Sequence, residues 1–252
     1  MSVLVIGGAG YIGSHTVREL VRSGRQTVVF DNLSKGHRDA VPDATPVSGD
    51  LHDTESLKQT IKKNSVDAVI HFAAFIEVGE SMTDPQKYYR NNVIGTLNLL
   101  KVMRETGVGR IIFSSSAAVY GEPETIPITE EAALKPTSVY GRTKMIIELA
   151  LADYAMAYGL LYAALRYFNV AGADPSGDIG EDHDPETHLI PLIIKTLLGE
   201  RARFSLFGTD YPTRDGTCIR DYIHVTDLAR AHILALDWLE QGGQSRVYNL
   251  GN

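Results

Sequence analysis

A chain of 252 residues, 44% hydrophobic and 22% charged, holds one large domain, or one with a smaller appendage, in the balance of an ordinary globular protein. Its formal net charge of −7, with no basic run, argues against a nucleic-acid partner, although an acidic protein still accepts a diphosphate in a local cradle. The single cysteine, Cys218, excludes an intramolecular disulfide; with no signal-peptide pattern and no stretch near the roughly 20 apolar residues of a membrane span, the expectation is a soluble cytoplasmic protein without a membrane partner.

In chain order, Val3–Ile6 is a short apolar run that predicts a buried strand, and Ile12–Ser23 is a helical pattern stopped by Gly24. Thr27–Asp31 and Ala44–Val47 read as further buried strands, followed by an amphipathic helix over Thr54–Lys63. Ala68–His71 is a strand, Lys87–Glu105 a helix ending at Gly107, Arg110–Ser114 a strand, Val139–Tyr158 a helix ending at Gly159, and Leu161–Arg166 a strand. Such alternation predicts an α/β fold: a Rossmann-type, doubly wound parallel sheet covered on both faces. After Asn169 the texture is more broken. Ala171–Glu186 is a loop rich in Gly, Asp and Pro, Leu189–Gly199 a helix, Phe204–Phe207 and Cys218–His224 short strands, Val225–Leu239 a helix and Arg246–Leu250 a strand. The expected division is a dinucleotide-binding domain over 1–168 and a small mixed α/β substrate region over 169–252, interleaved with the sheet and closing a cleft at one end of it.

Gly7-Gly8-Ala9-Gly10-Tyr11-Ile12-Gly13 follows the first strand and opens the first helix, the placing of a dinucleotide fingerprint. One glycine makes the turn, one lets backbone approach a pyrophosphate, one lets helix and strand pack closely, and helix N–H groups hold the phosphate charge. Without its context the run also reads as a plain glycine turn. Asp31, at the end of the second strand, supplies the acidic partner: a carboxylate there accepts from ribose hydroxyls and repels a 2′-phosphate, which favours NAD, with Asn32 as a second ribose contact. Asp50, after the third strand, reads either as an acceptor for an adenine amino group or as a helix N-cap.

Tyr140 and Lys144 stand four residues apart on one helix face. An ammonium beside a phenol favours the phenolate, which makes a general base suited to an alcohol proton; an exposed helix pair is the plainer alternative. Ser114-Ser115-Ser116 ends the fifth strand, at the sheet edge where open α/β folds bind ligands, and a hydroxyl there can share that proton.

Gly7–Gly13, Asp31-Asn32, His71-Phe72-Ala73-Ala74, Val78-Gly79-Glu80-Ser81, Asn91-Asn92-Val93, Ser114–Gly121, Tyr140-x-x-x-Lys144 and Arg166-Tyr167-Phe168-Asn169 occur in the order and spacing of UDP-glucose 4-epimerases, extended short-chain dehydrogenase/reductases. Gly208-x-Asp210-Tyr211-Pro212-Thr213-x-Asp215-Gly216-Thr217 and Arg220-Asp221-Tyr222-Ile223-His224-Val225 extend the resemblance into the second half, where it is more specific. The resemblance implies a redox cycle that consumes no NAD. Tyr140 would take the sugar 4-hydroxyl proton, hydride would pass from C4 to NAD⁺ and return to the other face of a 4-keto sugar, Lys144 would tune Tyr140, and Ser116, in preference to Ser115, would bond the reacting oxygen. It further implies a cofactor site of Gly7, Gly10, Tyr11, Ile12, Gly13, Asp31, Asn32, Asp50, Leu51, Phe72, Ala73, Asn91, Ser114, Tyr140, Lys144 and Phe168. Ser116, Tyr140, Asn169, His188, Leu189, Arg220 and Tyr222 would touch the UDP-sugar.

Some members of that family carry a lysine shortly after His-Phe-Ala; here the stretch is Phe75-Ile76-Glu77. The family's last strand leads into a substantial further segment with more UDP contacts, whereas this sequence stops at Asn252, so a form of this length is expected to bind NAD and turn over poorly. Ala117 and Ala118 stand where 4,6-dehydratases carry an Asp-Glu acid pair, which disfavours dehydration; epimerases of UDP-glucuronate or UDP-N-acetylhexosamines, and a non-catalytic NAD-binding sensor, remain as alternatives. Asp182-His183-Asp184-x-Glu186-x-His188 is read as a solvated, substrate-touching loop, with no metal expected, and Cys218 as a small buried thiol. His15, His37, His52 and His232 are read as solvated or structural. Tyr89, Val93, Leu97, Leu100, Met145, Leu149, Tyr154 and Tyr158 mark apolar faces that pack on the sheet and, by the resemblance, contribute to a homodimer.

Overall fold

The computed structural model describes residues 1–252. Its elements run β1 (Ser2–Ile6), α1 (Tyr11–Arg22), β2 (Gln26–Asp31), β3 (Thr45–Ser48), α2 (Thr54–Lys63), β4 (Ala68–His71), α3 (Val78–Thr83), α4 (Pro85–Tyr88), α5 (Gly95–Thr106), β5 (Arg110–Ser114), α6 (Val139–Tyr158), β6 (Leu161–Tyr167), β7 (Asn169–Ala171), α7 (Leu189–Leu197), β8 (Tyr222–His224), α8 (Val225–Glu240) and β9 (Arg246–Leu250). Seven strands form one sheet in the order β3-β2-β1-β4-β5-β6-β9 with every pairing parallel. The order reverses between β1 and β4, the switch point of a doubly wound sheet.

The two faces follow from strand alternation. Leu4 and Ile6 of β1 join Phe30, Val69 and Phe113 against α2, α5 and α6. Val3 and Val5 join Val29, Ile70 and Leu165 against α1 and α8. Both faces are covered, so the central strands read as continuous apolar runs. The expected buried strand at Ala44–Val47 is instead an edge strand, largely exposed, and its Pro46 is tolerated because an edge needs fewer ladder donors.

Four other expectations are corrected. The long helix over Lys87–Glu105 is helical throughout but carries a π turn at Tyr89–Ile94 between α4 and α5, where Asn92 is drawn inward to hydrogen-bond Phe75 and Thr143. Phe204–Phe207 forms no strand: it pairs with neither sheet, and Leu206 and Phe207 are exposed. The strand expected at Cys218–His224 shrinks to β8, paired in parallel with β7 in a small second sheet. Cys218 is exposed rather than buried, since the residues before β8 lie outside the core.

The glycine loop holds α1 close to β1. A Cβ on Gly13 would overlap the Gly7 carbonyl and come within 2.8 Å of Gly8 Cα. Gly13→Ala should therefore lower unfolding free energy by about 1–3 kcal/mol as helix and strand are pushed apart; urea denaturation measures this, and an unchanged midpoint would contradict the packing described.

Candidate active site

The carboxyl ends of the strands flanking the switch point open on one side of the sheet. Gly7 turns the chain there with φ +74° and donates its N–H to Phe30 O at 2.9 Å. It lies so close to Ala73 that a Cβ would come within 2.6 Å of Ala73 N, which brings Phe72-Ala73 against the loop. Gly10 is the N-cap of α1; no side chain caps this helix and no acid lies in its first turn, which leaves the amides of Tyr11, Ile12 and Gly13 for an external anion.

Asp31 stands at the end of β2. Its carboxylate accepts from Ala9 N (3.0 Å) and Leu33 N (2.8 Å), so it is held beside the glycine loop. Asn32 Nδ2 donates to Asp50 Oδ2 at 2.9 Å, and His52 N to Asp50 Oδ1 at 2.9 Å. Partial burial pushes the Asp50 carboxyl up, but these hydrogen bonds outweigh it and hold the group below its ordinary value. Asp50 is not the cap of α2; Asp53 is, accepting from Ser56 N at 2.9 Å.

The three serines after β5 have three different surroundings. Ser114 is buried, its carbonyl accepts from Lys144 Nζ at 2.6 Å, and its hydroxyl meets the Tyr167 hydroxyl. Ser115 is buried and donates to Glu148 Oε1 at 2.5 Å. Ser116 is half-buried, accepts from Ala118 N at 3.1 Å, and lies near enough to Tyr140 to act on its phenol. Ser138 caps α6, accepting from Gly141 N at 3.0 Å, and Tyr140 N donates to Ser81 Oγ at 3.1 Å, so the first turn of α6 is fixed where Tyr140 begins. One turn on, Lys144 is buried, its Nζ 5.8 Å from the Tyr140 ring centre.

The electrostatics of this pair differ from the simple expectation of a phenol lowered by an ammonium. Burial pushes the Tyr140 phenol up, and the Ser116 hydroxyl beside it only partly offsets that. Burial brings Lys144 down to about 7. In the protein alone, desolvation governs both groups. The arrangement still places a phenol, a hydroxyl and an amine where an alcohol could give up a proton.

Residues 3–251 match the profile of the NAD dependent epimerase/dehydratase family. The chain belongs to this family. It is 56% identical over 252 residues to a UDP-glucose 4-epimerase of Halalkalibacterium halodurans, covering 100% of this chain and 75% of that protein. The crystal structure of UDP-glucose 4-epimerase from Brucella ovis in complex with NAD superposes with a TM-score of 0.97 at 56% identity, covering 99% of this chain and 77% of that one. That of UDP-glucose 4-epimerase from Bifidobacterium longum in complex with NAD+ and UDP gives 0.94 at 40% identity, covering 100% and 78%.

The remaining expected residues of this epimerase/dehydratase fold lie on several elements. Asn169 and Tyr222 face each other across β7 and β8, Asn169 Nδ2 donates to Asp221 O at 2.9 Å, and exposed Arg220 lies just before β8. His188 is the N-cap of α7 with Nδ1 turned onto Glu181 and Glu186, and Leu189 is exposed at the start of that helix. Asn91 is half-buried and donates to Asn92 Oδ1 at 2.9 Å; Phe168 is half-buried between β6 and β7. Leu51 is buried, and a Cβ on Gly95 would lie 3.3 Å from it, so its side chain serves packing.

Sequence reasoning gave no role to Glu148. Its buried carboxylate pairs with Arg166 of β6, which also donates to Tyr120 Oη at 2.7 Å, and Tyr120 donates to Asn249 of β9 at 2.6 Å. The available signal was a charge inside an apolar helix stretch answered by one inside a buried strand. Glu148→Ala strands the guanidinium and should lower stability by about 3–5 kcal/mol, and Ser115→Ala, which removes one donor to that carboxylate, by about 1–3 kcal/mol. Chemical denaturation tests both; a loss below about 1 kcal/mol for Glu148→Ala would count against a structural ion pair.

Proposed function

We propose that this chain interconverts UDP-galactose and UDP-glucose at carbon 4 through a transient 4-keto sugar, with NAD held throughout. The observation that carries the reading is the placing of Ser116 beside Tyr140 at the carboxyl end of β5, one helical turn from buried Lys144, in a chain 56% identical to a UDP-glucose 4-epimerase. The residues present fit NAD: an uncapped helix start where Gly7 and Gly13 leave no room for a Cβ, and a carboxylate at the end of β2 that disfavours a 2′-phosphate.

Bound NAD supplies a hydride acceptor and donor, and its positive ring adds the charge that favours a nearby phenolate. Tyr140 takes the 4-hydroxyl proton and gives it back after the sugar presents its other face. Ser116 holds the reacting oxygen. Lys144 bonds the nicotinamide ribose and stabilises the Tyr140 phenolate. Gly7, Gly10, Tyr11, Ile12 and Gly13 cradle the pyrophosphate; Asp31 and Asn32 take the ribose, Asp50 and Leu51 the adenine end, and Phe72, Ala73, Asn91, Ser114 and Phe168 line the remainder. Asn169, His188, Leu189, Arg220 and Tyr222 contact the UDP-sugar, Arg220 through its fork of donors to the diphosphate. On this reading residues 1–168 bind the cofactor and 169–252 the substrate, in a cytoplasmic protein.

Incubation with UDP-galactose and no added NAD should yield UDP-glucose without net NADH; stoichiometric NADH would indicate a dehydrogenase. Tyr140→Phe should abolish turnover and retain NAD, and near-normal activity in it would remove the mechanism. Lys144→Met deletes the cation that stabilises the phenolate, so Tyr140 stays protonated to higher pH. The rising limb of the pH–rate profile should move up, and turnover at pH 7 fall about 100-fold.

We also propose a homodimer through α5 and α6. No helix of the chain is long and apolar enough to cross a membrane, yet Ile94, Leu97, Leu149, Met156 and Tyr158 are exposed on and beside these helices. Val93 and Leu100, marked with them in the sequence, are buried and serve the core. Sedimentation velocity should return twice the chain mass, and Leu149→Glu should return the monomer; a wild-type monomer would refute the dimer.

A further inference from the structure

Between β7 and α7 the chain crosses in front of the glycine loop, and there Glu181, His183, Glu186 and His188 converge. One ligand-type atom from each lies within 4.8 Å of all the others. His188 Nδ1 is 2.9 Å from Glu181 Oε1 and 3.1 Å from Glu186 Oε1. His183 Nδ1 is 3.3 Å from Glu181 Oε1 and 3.9 Å from Glu186 Oε2. A tetrahedral ion with bonds of about 2.0–2.2 Å to nitrogen and oxygen sets its ligands about 3.3–3.6 Å apart. These separations, taken over both oxygens of Glu186, run from 2.9 to 3.9 Å, around that edge.

Charge points the same way. The side chains of Glu181 and Glu186 are only 8% and 4% exposed, and neither carboxylate has a Lys or Arg ion pair; their charged neighbours are the two imidazoles. Buried carboxylates need compensation. The Thr187 and His188 amides also donate to Glu186 Oε1, yet the two carboxylates face no cation other than an imidazole. Independently, His183 Nδ1 is buried without a hydrogen-bond partner, although it faces both carboxylates. In the tautomer with its proton on Nε2, His183 sets a nitrogen lone pair against carboxylate oxygens, and a cation between them turns that repulsion into ligation. Two imidazoles and two carboxylates suit Zn²⁺, and four protein ligands with no open position mark a structural site.

We propose that Glu181, His183, Glu186 and His188 bind one structural Zn²⁺ that fixes the loop entering α7 in its own fold, where it lies against the glycine loop. The loop already touches its neighbours at several points. Tyr11 Oη donates to Gly172 O at 2.6 Å, the Tyr11 and His183 rings meet edge-on at 6.2 Å, and Lys35 Nζ donates to Asp184 O at 2.5 Å. Since His188 is the N-cap of α7, the ion also fixes where that helix begins. It takes no part in proton or hydride transfer. The sequence reading gave this segment to solvation and substrate contact; Glu181, outside the run then considered, completes the set that Asp182 and Asp184 do not.

The test uses the full chain, stripped with EDTA, dialysed against zinc-containing buffer and then against metal-free buffer. Elemental analysis should find about one zinc per chain, and Co²⁺ in its place should give the visible absorption of tetrahedral coordination. Glu186→Gln keeps an acceptor oxygen for the Thr187 and His188 amides, which donate to Glu186 Oε1 at 2.7 Å each, while removing the charge. This variant and His183→Ala, each shown folded by circular dichroism, should bind zinc at least about 100-fold more weakly, and added zinc should raise the melting temperature of the parent only. Below about 0.1 zinc per chain in the parent, a non-tetrahedral cobalt spectrum, or undiminished zinc affinity in the folded Glu186→Gln variant would each overturn the assignment.

Discussion

Glu148 lies one helical turn beyond Lys144 on α6, and its carboxylate faces the sheet, not solvent. Through it the helix is tied to Ser115 at the end of β5 and to Arg166 in β6, and through Arg166 and Tyr120 to Asn249 of β9. A buried ion pair is seldom a large net source of stability, but breaking one is costly because a bare charge remains. The consequence is geometric. The bonds that satisfy Glu148 also set how α6 is rotated and how far along β5 it sits, and those two settings decide where Tyr140 and Lys144 point. Ser116 can meet Tyr140 because Ser115, turned the other way, is already engaged.

Desolvation is the second constraint on the site. Burial raises the Tyr140 phenol and brings Lys144 to about 7, so in the protein alone burial works against the charged form of both. His71, buried and near Lys144, is held to about 3 by burial first and by that neighbouring charge second. The pocket is therefore short of charge rather than preloaded with it. A ligand bringing a positive ring would meet little competing cation and strong fields, since low polarity magnifies each charge that enters.

The parallel sheet was legible in the sequence because strands buried on both faces spell unbroken Val and Ile runs, and Gly24, Gly107 and Gly159 stop their helices where expected. The cofactor loop was legible because its glycines answer a steric need that no other residue meets. Phe204–Phe207 misled for a reason equally physical: four residues of strand-like composition say nothing about whether an edge is available. Glu148 and Arg166 were hidden because a charge pair between a helix and a strand has no sequence period. Glu181 was hidden for a similar reason: loop geometry, not spacing, brings it to His183 and His188.

A π turn is an α-helix carrying one residue too many. Removing any one residue from Tyr89–Ile94 would heal the helix into regular α geometry and improve its local hydrogen bonding. It would also rotate Asn92 by roughly 100° about the axis, away from the Phe75 backbone and Thr143, which it joins across the top of the sheet. The segment thus keeps a locally poorer helix for the sake of a long-range bond. A regular helix here would leave the Phe75 backbone and Thr143 without the amide that now joins them.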